Sequence, residues 1–259
     1  MSITLKPEFT IHHTPEVEVQ NGNQEGFWHL EIPHGPQGSY RLAQLDDYTS
    51  LSRKAFLHKS TLIFSLRARV SNPDIPGTWG FGLWNDPFSL SLGLGGGMRR
   101  FPALPNAAWF FYASSQNYLS FRDDLPANGF IAQTFQSPNL PAPLMTLAAP
   151  AFPLLLWPWI ARKLRLIFRR WIPEDSSALD VDVTQWQSYA LKWLEDRVIF
   201  TVDDQTFETR ISPKAPLGLV IWIDNQYAAF PPNGKLTYGT LANHQSAWLE
   251  IEAFSLKKG

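Results

Sequence analysis

The chain contains no cysteine, so disulfides, thiol nucleophiles and thiolate metal sites are all excluded. Charge is scarce too: charged residues make up 17% of the 259 residues, and the formal net charge of -1 leaves no excess of either sign. A partner held through many phosphates needs such an excess, so nucleic acid is not an expected partner. The opening MSITLKPEF lacks a basic stretch followed by an apolar core, which argues against a secretory signal and for a cytoplasmic location. His12, His13, His29 and His34 show no ligand spacing with a carboxylate beside it, so neither a metal nor another cofactor is expected. The glycine cluster at 93–97 has no dinucleotide spacing and no Lys-Ser/Thr ending, and it reads as a loop.

Aromatic residues and proline, by contrast, are abundant, with 11 Trp, 18 Phe and 21 Pro. Rings favour strands, and proline marks loops and sheet edges, so the expected body is all-β with long loops. One domain spanning 1–259 is expected, with residues 136–175 inserted in it. Residues 62–70 alternate cleanly, placing Leu62, Phe64, Leu66, Ala68 and Val70 on one face and Arg67 and Arg69 on the other. After a Pro76-Gly77 turn, residues 78–84 put Trp79, Phe81 and Leu83 opposite Gly80, Gly82 and Trp84. The small residues there let a neighbouring backbone or a ligand approach. Residues 107–114 (AAWFFYAS) and 217–224 read as buried strands, 117–123 as a short one, and 246–256 as a closing strand. Residues 184–208 form a β-meander, with polar turns at 194–197 and at Asp203-Asp204.

Proline interrupts this pattern from 136 onward, and residues 154–172 then follow a helical period. At 100° per residue Leu156, Ile160, Leu164, Ile167, Phe168 and Trp171 share one face, Arg162, Arg165 and Arg169 take the opposite one, and Trp159 lies near the start. Two roles fit this basic amphipathic helix: lying in a membrane interface, or packing over the sandwich as a lid with its arginines solvated.

Residues 186–193 (WQSYALKW), a turn, and a strand from 198 to Asp204 resemble a recurrent feature of the family-16 glycoside hydrolases, in the concanavalin A-like lectin/glucanase superfamily. Residues 64–70 followed by 76–84 are similar to that family's strand, Pro-Gly turn and Trp-rich strand, and 247–256 to its closing strand. The resemblance runs in order over residues 26–256. It implies a jelly roll of two packed antiparallel sheets with a ligand on the concave face. The family's Glu-x-Asp strand with its second Glu is missing, because residues 107–114 hold no carboxylate, and ordinary glycoside hydrolysis is not expected.

Two functions follow. In the first, the protein binds an amphipathic or lipophilic small molecule (lipid, isoprenoid or glycolipid) or a glycan, with a membrane surface as a candidate setting. Trp79, Trp84 and Trp222 supply stacking surface, and Arg67, Arg69, Asn85 and Asn225 fix orientation. In the second, a cyclase, isomerase or hydrolase acting on a lipophilic substrate uses Asp224 as acid/base, its pKa raised by the apolar run before it, with Tyr227 or Tyr112 as hydrogen-bond donor. Each aromatic has core packing as its plain alternative, and Asp224 with Asn225 also reads as a strand-end turn.

Overall fold

The computed structural model describes residues 3–5, 8–22, 26–87, 100, 103–138, 154 and 157–259. Among them, two antiparallel sheets form the jelly-roll sandwich that the resemblance implied. One has eight strands, in the order β13 (Gln205–Thr209), β12 (Val198–Val202), β11 (Gln187–Trp193), β6 (Leu62–Val70), β17 (Ala247–Lys258), β4 (Trp28–Ile32) and β3 (Glu18–Asn21), with β1 (Ile3–Leu5) also beside β17. The other has seven, in the order β10 (Glu174–Ala178), β9 (Gly129–Phe135), β8 (Ala107–Ala113), β7 (Thr78–Trp84), β14 (Gly218–Asp224), β5 (Leu42–Asp46) and β2 (Thr10–His13). A separate hairpin joins β15 (Gln226–Ala229) to β16 (Thr237–Thr240).

Alternation decides what lies between the sheets. Along β6 the even-numbered residues are buried and the odd ones half-exposed, as a strand with one wet face requires. Tyr189 of β11 meets Phe81 of β7 at 5.0 Å and Phe110 of β8 at 5.1 Å, while Phe110 meets Phe200 of β12 at 5.2 Å, so rings from both sheets interlock. Burial of each such ring contributes about 1.5–3 kcal/mol. The meander takes its expected register: Tyr189 lies opposite Val202 on one side and Leu66 on the other.

Antiparallel pairing of Glu174 with Phe135 closes the ladder between β9 and β10, so the chain leaves at 136 and returns at 173 to the same point. Among the described residues of this excursion lies a helix, α1 (Pro158–Trp171), which opens on a proline at its first turn, where the missing N–H costs nothing. It closes when the Ile172 N–H donates to Phe168 at 2.8 Å. The expected short strand at 117–123 is absent: Asn117 and Tyr118 instead pin the β15 hairpin, Asn117 accepting from the Ala228 N–H at 3.0 Å and Phe230 donating to the Tyr118 carbonyl at 3.0 Å. The glycine cluster at 93–97 and Leu156 lie outside the described residues.

Candidate functional site

The face of the seven-stranded sheet turned away from the core is aromatic. Register places Trp222 opposite Gly80, and Gly80 opposite Phe111; one row on, Val220, Gly82 and Trp109 line up. The two glycines are obligatory seats. A Cβ on Gly80 would lie 2.5 Å from the Phe110 carbonyl oxygen and 2.9 Å from the Trp222 ring, and one on Gly82 would lie 2.5 Å from the Ala108 carbonyl. Around them Trp84 stacks on Trp222 at 6.0 Å and 5°, Trp109 lies 5.7 Å from Trp222, and Phe111 lies 5.6 Å from it. Trp109 and Trp222 have already placed their indole N–H groups, donating to Gln133 at 3.1 Å and to the Thr78 hydroxyl at 3.0 Å. The Trp84 N–H, with the Tyr48 hydroxyl beside it, is buried without a well-formed hydrogen bond.

At one end of this floor sits Asp224, with 6% of its surface exposed. Its Oδ1 accepts from the Thr78 hydroxyl at 2.7 Å and from the Gln226 N–H at 3.3 Å, while its Oδ2 faces the Tyr40 hydroxyl at 3.4 Å. Burial pushes its pKa up to about 7, against the lowering effect of these donors. Glu174 occupies the far end. Its Oε1 accepts from Ser120 at 2.9 Å and from the Arg122 N–H at 2.6 Å, its Oε2 is buried without a partner, and desolvation likewise pushes it up to about 7. The pairing rows keep the two carboxyls apart: Asp224 is level with Thr78 and Ala113, Glu174 with Phe135 and Ala107. They therefore cannot act as the close pair that retaining glycoside hydrolysis demands. Strand β8, between the two rows, directs Ala107, Trp109, Phe111 and Ala113 to this face and carries no acid.

Of the residues expected to share a site, Trp84, Trp222 and Asp224 lie on this face, and the others are dispersed. Trp79 is 1% exposed between the sheets, stacked on Tyr112 at 5.6 Å and on Phe130 at 4.8 Å. Burial and the Asp74 charge push Tyr112 up to about 12. Arg67 and Arg69 belong to the other sheet, where Arg67 pairs with Glu252, and Arg69 bonds Glu250 at 2.7 Å and lies 4.8 Å from the centre of the Trp186 ring. Asn85 and Asn225 serve the loops. Asn85 accepts from the Asn106 N–H at 2.9 Å and donates to the Leu104 carbonyl at 2.9 Å; Asn225 accepts from the Arg41 N–H and donates to the Ser39 and Leu241 carbonyls. Tyr227 belongs to β15, where its ring packs by Gly239.

Sequence reasoning missed Trp109, Phe111, Thr78, Tyr40 and Glu174. Had β8 been paired with the well-read β7, strand parity alone would have sent Trp109 and Phe111 to the side of Trp84. Glu174 carried no such signal. Among the described residues no group of three or more His, Asp or Glu side chains is arranged to hold a metal.

No protein-family model matches the chain, and no curated protein does. Solved structures similar to it include a GlcNAcα1-4Gal-releasing endo-β-galactosidase from Clostridium perfringens, with TM-score 0.49 and 10% identity over 96% of this chain and 57% of that one. A β-glucanase from Bacillus licheniformis gives 0.45 and 8%, over 96% and 94% of the two chains. A legume lectin-like domain from Entamoeba histolytica gives 0.42 and 11%, over 96% and 87%. The chain thus spans little more than half the length of the first of these.

Proposed function

We propose that the outer face of the seven-stranded sheet binds an amphipathic or lipophilic small molecule against Trp84, Trp109, Trp222 and Phe111, and hydrolyses no glycan. One observation carries this reading: a cluster of rings lies on this face, Trp109, Phe111 and Trp222 only 4–7% exposed and Trp84 half-buried beside them, while its polar groups at Trp109, Gln133, Trp222, Thr78 and Asp224 are already bonded to one another. An apolar ligand needs the first and not free donors and acceptors; a sugar needs both. Asp224, its pKa raised to about 7, supplies a group able to donate to a polar end of the ligand or to exchange a proton with it.

The test is tryptophan fluorescence with native mass spectrometry, titrating a long-chain fatty acid and, separately, β-1,3-gluco-oligosaccharides. Saturable quenching by the fatty acid, weakened at least tenfold in Trp222→Ala, supports the reading. A response to the oligosaccharides alone, or equal fatty-acid titrations in parent and variant, overturns it.

A further inference from the structure

Helix α1 is held to the body by an unexpected residue. Arg165, on the face that the helical period marks as polar, is only 4% exposed. Its guanidinium donates to the Ser120 carbonyl at 2.5 Å, the Phe230 carbonyl at 2.6 Å and Asp123 Oδ1 at 2.7 Å, and it packs over the Tyr118 ring at 5.0 Å. Ala161 and Ile172 are buried on the same side, and Phe168 meets Phe121 at 5.4 Å. Spacings of four, three and four residues put these positions on one stripe. The reading in which all the arginines are solvated and Ile167 and Trp171 share the packed face is thereby corrected: a buried Arg with its donors satisfied packs like an apolar residue.

With that stripe inward, the helix presents the rest outward. Nine large hydrophobic side chains are exposed among the described residues, and six of them are Leu154, Trp157, Trp159, Leu166, Ile167 and Trp171. Two-thirds of the exposed apolar surface residues thus gather on one segment, a concentration that marks an interaction site. Arg162, Lys163, Arg169 and Arg170 are exposed among them, and residues 154–173 include no acid. Indoles sit at both ends of the helix.

We propose that this face docks on an anionic lipid surface, the helix lying in the plane of the headgroups. The charge is of one sign, which suits a negative surface, and cations flanking an apolar ridge let the ridge enter the acyl boundary while the cations stay at phosphate level. Indoles favour that same boundary. No described helix is long and apolar enough to cross a membrane, and a flat attachment requires none. This docking is independent of what the aromatic face of the sheet binds.

The experiment is co-sedimentation of the full chain with vesicles of phosphatidylcholine alone or with about 30 mol% phosphatidylglycerol, a fraction high enough to give a strongly negative surface. Binding to the anionic vesicles, weakened by salt, is expected. Arg162→Gln with Arg170→Gln lowers it on the order of 30-fold. Trp159→Ser with Leu166→Ser and Trp171→Ser lowers it at least tenfold, with circular dichroism and Tm unchanged because these side chains touch little of the body. No binding to anionic vesicles, or equal binding by both variants, overturns the proposal. So does a concentration-dependent dimer that the apolar variant dissolves while vesicles bind nothing, since the occupant is then a second copy.

Discussion

The Thr78 hydroxyl donates to Asp224 at 2.7 Å while accepting the Trp222 indole N–H at 3.0 Å, so one side chain ties the buried acid to the aromatic floor. Asp224 and Glu174 have ordinary pKa values of 3.8 and 4.5, and burial moves both to about 7. Between roughly pH 4 and 7 the folded chain therefore binds more protons than the unfolded one. A raised carboxyl contributes stability that is fully present below its unfolded pKa and is lost as pH rises through its folded pKa. The urea midpoint should thus fall from pH 5 to pH 8, and Asp224→Asn with Glu174→Gln should flatten that decline. A decline of the same size in the double variant refutes this assignment.

The three indoles of the floor should respond differently to Trp→Phe. Trp84 gives up no well-formed hydrogen bond, whereas Trp109→Phe strands the Gln133 oxygen, on a side chain 1% exposed, at an extra cost of about 1–3 kcal/mol. Chemical denaturation should rank Trp84→Phe as the milder change, and the reverse order would show that packing outweighs bonding here.

How much of this was legible follows from where alternation survives. Strand β6 has one wet face and one dry, so its pattern fixed the core side at once, and the meander was equally clear. In β8 every residue is buried and in β7 every residue but Trp84, and a strand apolar on both sides gives no such sign, so in sequence Trp79 and Tyr112 read as ligand-side as readily as core. Asn85 and Asn225 tie loops, and an amide that ties a loop and one that meets a ligand look identical in sequence. The helix period was correct, but hydrophobicity alone placed Arg165 in solvent; the carbonyls that bury it come from residues 45 before and 65 after it.

Glycine at 77 sharpens the geometry behind Asp224. Its φ is +113°, and a Cβ there would lie 2.1 Å from the Asp224 carbonyl oxygen and 2.5 Å from the Asn225 Cα. Gly38, at φ +93°, has nothing within 4 Å of such a Cβ. Gly38→Ala should therefore cost only backbone strain, about 1 kcal/mol, and Gly77→Ala on the order of 3 kcal/mol or more, since backbone atoms cannot step aside. Thermal melts of the two variants decide it, and equal losses would mean the turn shifts freely.

Arg165 should behave as the latch of α1 and not of the sandwich. Arg165→Met keeps the length of the side chain but leaves the Ser120 and Phe230 carbonyls unpaired, at about 1–3 kcal/mol each if water does not enter. Arg165→Lys keeps the charge, yet one ammonium cannot span both carbonyls and Asp123 while packing on Tyr118. Because the strands draw their stability from the core between the sheets, and α1 adds to it only through its inner stripe, either change should open the helix locally. Trypsin should then cut at Arg162, Lys163, Arg169 or Arg170 many times faster than in the parent, with the β-sheet circular dichroism and the main melting transition retained. Loss of the whole fold in both variants would instead make Arg165 part of the sandwich's own stability, and unchanged proteolysis would mean that Phe168 and Ile172 hold the helix without it.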